Sequence, residues 1–374
     1  AGPRHRYGAI RVLGLKRYPQ RIVCFDISNI MGTAAVGSAV LFADARPDKA
    51  GALAESVRAL SVHPAQQPAS EILPGRFNWI GATAGQGAAL CYAEMVSAEA
   101  IHRGSGRTLR LLERFPGEER VGHQIFAASP AAAASAVRAI HRLAPTVVDL
   151  NCGCSVPKVL KSGCGAALLM DPALIGRLVR AMRDETDLPV TVKLRLGWDE
   201  RSITFLECAA EAVRAGAAAV ALHPRTRSQG FGGRSRWPAL AELKAAVPVP
   251  VFGSGDLFTA ADALAMADET GVDAVMIARG ALGNPFIFAE IRALLEGREL
   301  RVGARERLET ALRHLAMEVD AKGESVACRE MRKQFVAYTK GMQGGAELRQ
   351  AVVHASTVAR YREIVEEFLS GSAY

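Results

Sequence analysis

The chain has 374 residues, of which 49% are hydrophobic and 22% charged, a balance typical of soluble proteins that allows one large domain and a small one. No apolar run approaches the roughly 20 residues of a membrane-spanning helix, and the basic N-terminus lacks the apolar segment of a secretory signal. We therefore expect a cytoplasmic protein with no membrane partner. The net charge of +8 fits an ordinary soluble surface and only weakly favours a polyanionic partner such as nucleic acid.

The first 87 residues are difficult to assign. Residues 38–45 are typical of a strand and residues 48–61 of the helix after it, so together they would form a first βα unit. Residues 75–82 are an alternative first strand, but too few residues separate them from the next strand to hold a helix. The preferred assignment leaves residues 62–87 as a loop of unusual length for a compact domain.

From residue 88 onward, short β-branched runs alternate with Ala- and Leu-rich stretches of helical periodicity. Several of the helical stretches begin after Ser, Asp or Thr and end at Gly, as capped helices do. Continuous apolar strands joined by helices are typical of a parallel sheet that helices cover. With one strand from the N-terminal region, the pattern predicts an eight-stranded (β/α) TIM barrel. The seven runs span residues 88–95, 121–127, 146–151, 190–196, 218–223, 249–255 and 274–280, and the main helical stretches between them span 130–143, 172–185, 204–216, 237–246 and 260–271.

After Glu299 the strand pattern stops. Three basic stretches, residues 304–323, 327–341 and 346–371, have helical periodicity. The fold class is therefore α/β, a TIM barrel followed by a small C-terminal helical domain. We place the domain boundaries as follows: 1–87 is an atypical N-terminal region that could hold the first βα unit, 88–300 is the barrel, and 301–374 is the helical domain.

The turns after the last two strands, GSGD and ARG, contain glycine. Backbone N–H groups at these two positions of a barrel frequently bind phosphate, although both could be ordinary βα turns. Lys193 and Arg195 are two residues apart on one strand and so point the same way, into the barrel. Because a buried lysine rarely lacks a partner, we expect an anionic cofactor there, with a structural ion pair as the alternative. His223 is either a core histidine or, beside a Gly- and Arg-rich loop, a ligand contact.

The seven cysteines are odd in number and most lie in apolar segments, which predicts reduced thiols and no disulfide framework. Cys152, Cys154 and Cys164 lack the paired spacing of metal sites, so we expect no bound metal. Cys152 is predicted to pack in the core, and Cys154 to lie on the loop at the barrel mouth. A thiol there can be a nucleophile or a general acid. Without a Cys-His-Asn protease pattern, the general acid is favoured.

Together these segments resemble the tRNA-dihydrouridine synthases, FMN-dependent flavoenzymes that reduce uridine in tRNA, and most closely their bacterial branch. The resemblance covers about residues 88–350, through motifs in the family's order that include DLNCGCSVPKVLKSGCGAALLMDP, PVTVKLRLGW, HPRTRSQGFGG and MRKQFVAYTKG. Residues 1–87 do not match, because the family's PMAG-like loop and TD..FR helix are absent. Ser155 and Ser254 replace the family's usual Pro and Asn.

The resemblance implies the chemistry. Cys154 matches the cysteine that protonates C5 of uracil while reduced FMN delivers hydride to C6, and NADPH is the family's usual electron donor. Asn151 matches the residue that holds the target base, and we group Arg195 with it as a substrate contact. Gln124 and Lys193 match contacts to the isoalloxazine ring.

The resemblance also implies the remaining contacts. In the helical domain, Arg332, Lys333 and Lys340 would bind the tRNA backbone. The FMN phosphate site would comprise His223, Gly253, Ser254, Gly255, Asp256, Ala278, Arg279 and Gly280.

Two other functions stay open: a tRNA-binding protein with an impaired flavin site, and an FMN barrel that acts on a small pyrimidine or enone. We expect a monomer.

Overall fold

We analysed a computed structural model of the protein. It describes residues 88, 90–112 and 120–371, together with the backbone of residues 24–30, 34–36 and 39–42. The predicted helix at 48–61, the loop at 62–87 and the alternative strand at 75–82 lie outside the described residues.

The described strands form one closed barrel with three short additional strands. Eight of them run parallel, in the spatial order β1-β4-β6-β7-β8-β9-β10-β11, and β1 pairs with both β4 and β11 to close the ring. The seven strands predicted from residue 88 onward are all present, and the TIM barrel is confirmed. In chain order the strands are β1 (Cys24–Ile30), β2 (Ala34–Val36), β3 (Ala39–Phe42), β4 (Leu90–Glu94), β5 (Val96–Ser97), β6 (Val121–Phe126), β7 (Val147–Cys152), β8 (Val190–Arg195), β9 (Ala219–His223), β10 (Val251–Ser254) and β11 (Ala274–Ile277).

The prediction of residues 38–45 as the first barrel strand was wrong. The strand found there, β3, runs antiparallel to both β1 and β11, so it cannot belong to the parallel series. The parallel strand between β11 and β4 is β1, whose Cys24 is in register with Met276 and Leu90. Its sequence, CFDISNI, was missed because Asp, Ser and Asn interrupt the apolar run by which the other strands were recognised.

Nine α-helices accompany the described strands, and they include the five predicted from the sequence. Their ends follow the expected chemistry: Asp171 accepts a hydrogen bond from the N–H of Leu174 at a helix start, and Gly271 ends a helix in the left-handed conformation. The helices are α1 (Ala98–His102), α2 (Gly106–Arg110), α3 (Pro130–His141), α4 (Pro157–Lys161), α5 (Pro172–Arg183), α6 (Phe205–Arg214), α7 (Pro238–Ala246), α8 (Ala260–Thr270) and α9 (Ile287–Leu295), and short 3₁₀ helices span Gly165–Met170 and Arg279–Ala281.

Four helices follow the barrel: α10 (Ala304–Lys322), α11 (Glu324–Tyr338), α12 (Gly345–Val353) and α13 (Val358–Gly371). The third helical stretch of the sequence is thus two helices, because Thr357 accepts a hydrogen bond from the N–H of Arg360 and starts a new one. Within the described part of the chain, no helix is both long and apolar enough to span a bilayer.

The helical domain packs closely on the barrel. Leu308 of α10 and Phe335 of α11 belong to the same hydrophobic core as the barrel strands and their helices. At the contact, Gly283 has a φ of 67°, and a Cβ there would lie 2.2 Å from the carbonyl carbon of Ala337. Only glycine permits this approach of two backbones.

A separate apolar layer fills the lower part of the barrel, with Tyr92, Phe252 and Met276 among its members. Above it, towards the carboxyl ends of the strands, the inward positions are polar. Asp149 and Thr191 are the first of these and are almost fully buried. The barrel is therefore closed below and polar above, which limits the site to its upper end.

Candidate active site at the carboxyl ends of the strands

The first feature of the site is a tight turn after β7, residues 151–154, which we call the cysteine turn. The side-chain Oδ1 of Asn151 accepts hydrogen bonds from the backbone N–H of Gly153 (3.1 Å) and of Cys154 (2.8 Å). The carbonyl of Cys154 accepts from the N–H of Ala166 (2.9 Å). Both sides of the turn are thus fixed. Cys154 is partly exposed, whereas the other described cysteines are buried.

Cys152 differs from Cys154 in its exposure to solvent. It is completely buried, and burial is the main reason that the pKa of its thiol lies well above the usual value, with further contributions from Cys208 and Asp149. A thiol in this state is inert. The prediction that Cys152 packs in the core is confirmed.

The side chain of Asn151 is itself held from below. Its Nδ2 donates to Oε1 of Gln124 (2.7 Å), whose Nε2 donates to Oδ2 of Asp149 (2.7 Å). The other oxygen of Asp149 accepts from the hydroxyl of Thr191. Asp149 and Thr191 were not predicted from the sequence. The signal that could have identified them is their position two residues before Asn151 on β7 and Lys193 on β8, which places their side chains on the same, inward face.

Arg195 connects the cysteine turn to the loop after β9. Its Nε donates to the carbonyl of Gly153 (2.9 Å), and one terminal nitrogen donates to the carbonyls of Thr226 (3.0 Å) and Gly230 (2.8 Å). Burial, and secondarily the charge of Arg225, lowers its pKa to about 10, so it remains a cation at neutral pH. Its expected contact with substrate stays a prediction.

A pocket opens on the other side of the barrel, at the ends of β9, β10 and β11, and we call it the anion pocket. Most of the predicted cofactor contacts line it, together with Phe231, Leu257, Phe258 and Met276. Those predicted residues are Lys193, His223, Ser254, Gly255, Asp256, Ala278 and Arg279.

Three predicted cofactor contacts lie outside that lining. Gln124 is buried in the hydrogen-bond chain below Asn151. At Gly253 a Cβ would lie 2.7 Å from the sulfur of Met266, so this glycine permits packing against the helices. At Gly280 a Cβ would lie 2.0 Å from the carbonyl oxygen of Leu257, so this glycine lets two turns approach each other.

Positive charge exceeds negative charge around the anion pocket. Asp256 accepts hydrogen bonds from Arg225 (2.7 and 2.9 Å) and from Arg279 (3.1 Å). One carboxylate thus faces two guanidinium groups, with Lys193 on the same lining. Arg225, only 1% exposed, belongs to the Gly- and Arg-rich loop beside His223 and was not predicted to have a role. Its importance depends on a contact between distant loops that the local sequence does not reveal.

The same charges act on His223. Burial, followed by the positive charges of Arg195 and Lys193, holds the pKa of its imidazole well below the usual value. His223 is therefore neutral at physiological pH. One of its nitrogens, Nε2, lies 3.2 Å from a terminal nitrogen of Arg225 and can accept its hydrogen bond.

The shape of the anion pocket also fits a phosphate group. Gly255 has a φ of 106°, and a Cβ there would lie 2.2 Å from the hydroxyl oxygen of Ser235. That hydroxyl oxygen is buried and has no hydrogen-bond partner among the described residues. A buried hydroxyl without a partner and an excess of cations are what an anion requires. The residues present therefore fit the phosphate end of FMN.

Two aromatic rings flank the arginine of the pocket. The guanidinium carbon of Arg279 lies 4.7 Å from the ring centre of Phe231 and 5.0 Å from that of Phe258. Both rings are exposed. These cation–π contacts hold the guanidinium at the pocket mouth.

The predicted tRNA contacts lie on the helical domain. Lys333 of α11 is exposed, and Lys340, just beyond the same helix, is exposed too. Arg332 is half-buried and donates to the carbonyl of Ala355 (3.2 Å), which joins α11 to the start of the last helix. In the described ranges, no group of three His, Cys, Asp or Glu side chains could hold a metal ion.

Comparison with known proteins identifies the family. The family model for dihydrouridine synthase (Dus) matches residues 68–372. The chain belongs to the dihydrouridine synthase family. This confirms the predicted family and the interpretation of the chain as a flavin oxidoreductase of the tRNA-dihydrouridine synthase type. The match begins 20 residues before the predicted limit at residue 88, so part of the region that we considered unmatched belongs to the family.

Several bacterial proteins are similar to this chain over most of their own length. A "Probable tRNA-dihydrouridine synthase" of Treponema pallidum is 43% identical over 291 residues, which are 75% of this chain and 86% of the relative. Another of the same name from Aquifex aeolicus is 35% identical over 286 residues, 75% and 88% of the two chains. The "tRNA-dihydrouridine synthase B" of Pseudomonas aeruginosa is 35% identical over 266 residues, 70% and 80%.

A second family model matches the N-terminal region. The model for a UvrC RNAse H endonuclease domain matches residues 10–53, a segment that contains β1, β2 and β3. The closing strand of the barrel therefore lies outside the dihydrouridine synthase match. This explains why no motif of that family was found at the first strand.

Proposed function

We propose that the protein reduces specific uridines of tRNA to 5,6-dihydrouridine, with FMN as bound cofactor and NADPH as electron donor. The observation that carries the proposal is the position of Cys154, a partly exposed thiol held on the barrel rim, with Lys193 between the cysteine turn and a pocket that fits a phosphate. The names of the similar proteins support it. The choice of NADPH as electron donor and the reaction mechanism rest on the family resemblance.

Within this proposal, Ser254, Gly255 and Arg279 hold the FMN phosphate, and Lys193 and Gln124 contact its ring. Bound FMN supplies the hydride chemistry. Lys193 lies between the cysteine turn and the anion pocket, because it is in register with Asn151 on one side and lines the pocket on the other. A cation at this position stabilises negative charge on a reduced cofactor.

Cys154 acts as the general acid in the proposed reaction. Reduction of an enone needs a proton on one carbon and a hydride on its neighbour, and the proton donor must be held within reach of the first. The thiol proton of Cys154 is transferred to C5 of uracil. The hydrogen bonds from the turn to Asn151 keep the donor in place.

Asn151 favours a uracil at the site. Its Oδ1 already accepts two backbone N–H groups and one of its Nδ2 hydrogens is donated to Gln124, so one Nδ2 hydrogen remains for a ligand. This hydrogen can be donated to the C4 carbonyl oxygen of uracil. The amide cannot accept from the exocyclic amino group that cytosine carries at C4.

The helical domain binds the tRNA backbone in this proposal, with Lys333, Lys340 and Arg332 as the cationic contacts. Exposed cations on a helix provide sequence-independent affinity for phosphates. The reduced, mostly buried thiols agree with a cytoplasmic enzyme, and we propose that it acts there as a monomer.

The test is an absorbance spectrum of the purified protein between roughly 350 and 500 nm, where oxidised flavins absorb and the twenty amino acids do not. We expect flavin bands that NADPH bleaches, followed by formation of dihydrouridine in added tRNA, measured by nucleoside mass spectrometry. Absence of bands after addition of FMN would favour a tRNA-binding protein with an impaired flavin site. Flavin turnover on free uracil but not on tRNA would favour a small-molecule oxidoreductase.

A further inference from the structure

A single chain of side-chain hydrogen bonds runs from the middle of the barrel to the cysteine turn. It begins at Asp149, passes through the amides of Gln124 and Asn151, and ends at the two backbone N–H groups of the turn. All three side chains are at most 6% exposed. Water therefore has little access to replace any of these bonds.

The two ends of this chain are chemically opposite. Both oxygens of Asp149 accept hydrogen bonds, one from Gln124 and one from Thr191. The backbone N–H groups at the other end can only donate. Between them lie Gln124 and Asn151, whose amide oxygen and nitrogen have nearly the same size. Packing alone therefore cannot decide which way either amide points.

We propose that Asp149 is a positioning residue that fixes the orientation of both amides and, through them, the conformation of the cysteine turn. Its carboxylate requires Nε2 of Gln124, so Oε1 of Gln124 faces Asn151. Asn151 must then present Nδ2 to Gln124 and Oδ1 to the turn. Reversal of either amide places donor against donor or acceptor against acceptor at two buried contacts, which is unfavourable.

The proposal also gives Asp149 an indirect part in base selection. Because the polarity of the chain leaves only one Nδ2 hydrogen of Asn151 for a ligand, a carboxylate two residues away determines that the site donates to a base and does not accept from it. This consequence rests on the proposed function. The orientation of the amides and the shape of the turn do not, so they can be tested without flavin or tRNA.

The critical experiment reverses the polarity of one link and then restores it. In Gln124→Glu, two acceptor groups face each other, and the chain is broken at its first bond. In the double variant Asp149→Asn/Gln124→Glu, Nδ2 of the new asparagine donates to the new carboxylate, which still accepts from Asn151. The double variant keeps the net charge and the number of hydrogen-bonding atoms of the original pair.

The readouts are the hydrogen-exchange rates of the backbone amides at 153 and 154 and the rate at which iodoacetamide alkylates Cys154. Both are measured at about pH 8, because this pH disfavours a proton shared between the two carboxyl groups that face each other in Gln124→Glu. For Gln124→Glu we expect both rates to rise about tenfold or more, as for loss of a buried hydrogen bond. Asp149→Asn alone should give a smaller rise, because the new amide can turn either end to Gln124. The double variant should return to within about threefold of the original protein.

Thr191→Val is the matched control. It removes a hydrogen bond to Asp149 but leaves the carboxylate and its bond from Gln124, so the turn should exchange as in the original protein. A double variant as perturbed as Gln124→Glu, or a Gln124→Glu variant with unchanged rates, overturns the proposal. If Gln124→Glu does not fold and the double variant does, the restored polarity supports it, and if neither folds it is wrong.

Discussion

The two sides of the barrel rim satisfy their polar groups in different ways. On the side of β6, β7 and β8, the amides of Gln124 and Asn151 bind partners within the protein, and the cysteine turn is held by them. On the side of β9, β10 and β11, two guanidinium groups share Asp256, and the Ser235 hydroxyl has no partner among the described residues. The first side therefore has its polar groups satisfied within the protein, whereas the second has more positive than negative charge.

This difference separates two classes of defect. Under the proposed function, loss of the Cys154 thiol should impair the reaction while the cofactor still binds. A change on the pocket side should impair cofactor binding first and the reaction only as a result. Measuring flavin affinity and turnover together therefore distinguishes the two sides.

The largest effect is expected for Cys154→Ala. Loss of the general acid should lower uridine reduction by about a hundredfold or more, with flavin affinity unchanged, as measured by dihydrouridine formation and flavin titration. Cys208→Ala is the control, because this thiol is buried on α6 and does not line the anion pocket, so its removal should leave turnover intact. Unchanged turnover in Cys154→Ala would exclude the assigned role.

On the pocket side, Gly255→Ala should weaken FMN binding by about tenfold or more, measured by quenching of flavin fluorescence. The added methyl group would strain a backbone of positive φ and collide with Ser235. Gly271→Ala is the matched control: it also has a positive φ, but open space surrounds its Cβ position at the end of α8. Equal losses of affinity in the two variants would mean that backbone strain, and not the pocket, is responsible.

A smaller effect is expected on the helical domain. Lys333→Gln should reduce tRNA affinity several-fold and lower the salt dependence of binding by about one phosphate contact, measured by fluorescence anisotropy at several salt concentrations. Arg138→Gln is the control, since this cation lies on α3 and pairs with Glu185. If both variants bind tRNA alike, the RNA does not contact α11 at this position.

The smallest effect concerns acid stability. Because the pKa of His223 is held well below its usual value in the folded protein, the unfolded chain binds more protons as the pH falls below about 6.5. Stability present above this pH is therefore lost towards lower pH. His223→Gln removes that loss, so its Tm should fall less than that of the original protein between about pH 7.5 and 5.5. His102→Gln, at an exposed position, should follow the original protein, and parallel curves for all three would contradict the assignment.

The sequence predicted the parts of the fold that repeat. Seven strands and their helices have continuous apolar runs and local caps, and these signals are carried by neighbouring residues. β1 lacks such a run, so it could be recognised only by its pairing with β4 and β11. The first strand of a barrel depends on contacts with the end of the chain, and periodicity does not report them.

The candidate site, like the fold, was predicted only in part. The position of strand ends places Cys154, Lys193 and the glycine turns on one rim, and the structure brings them together there. The bond between Asp149 and Gln124 depends on the register of two strands, and the pair of Arg225 and Asp256 joins two separate loops. Neither could be obtained from spacing in the sequence.

The close contact at Gly283 has a consequence for the choice of uridine. Because the barrel and the helical domain share one core and touch backbone to backbone at Ala337, the distance from α11 to the cysteine turn is fixed. If α11 holds the tRNA as proposed, a rigid tRNA can bring only nucleotides at one distance to Cys154. The target uridine would then be selected by its distance from the RNA segment that α11 binds, and not by the sequence of the neighbouring bases.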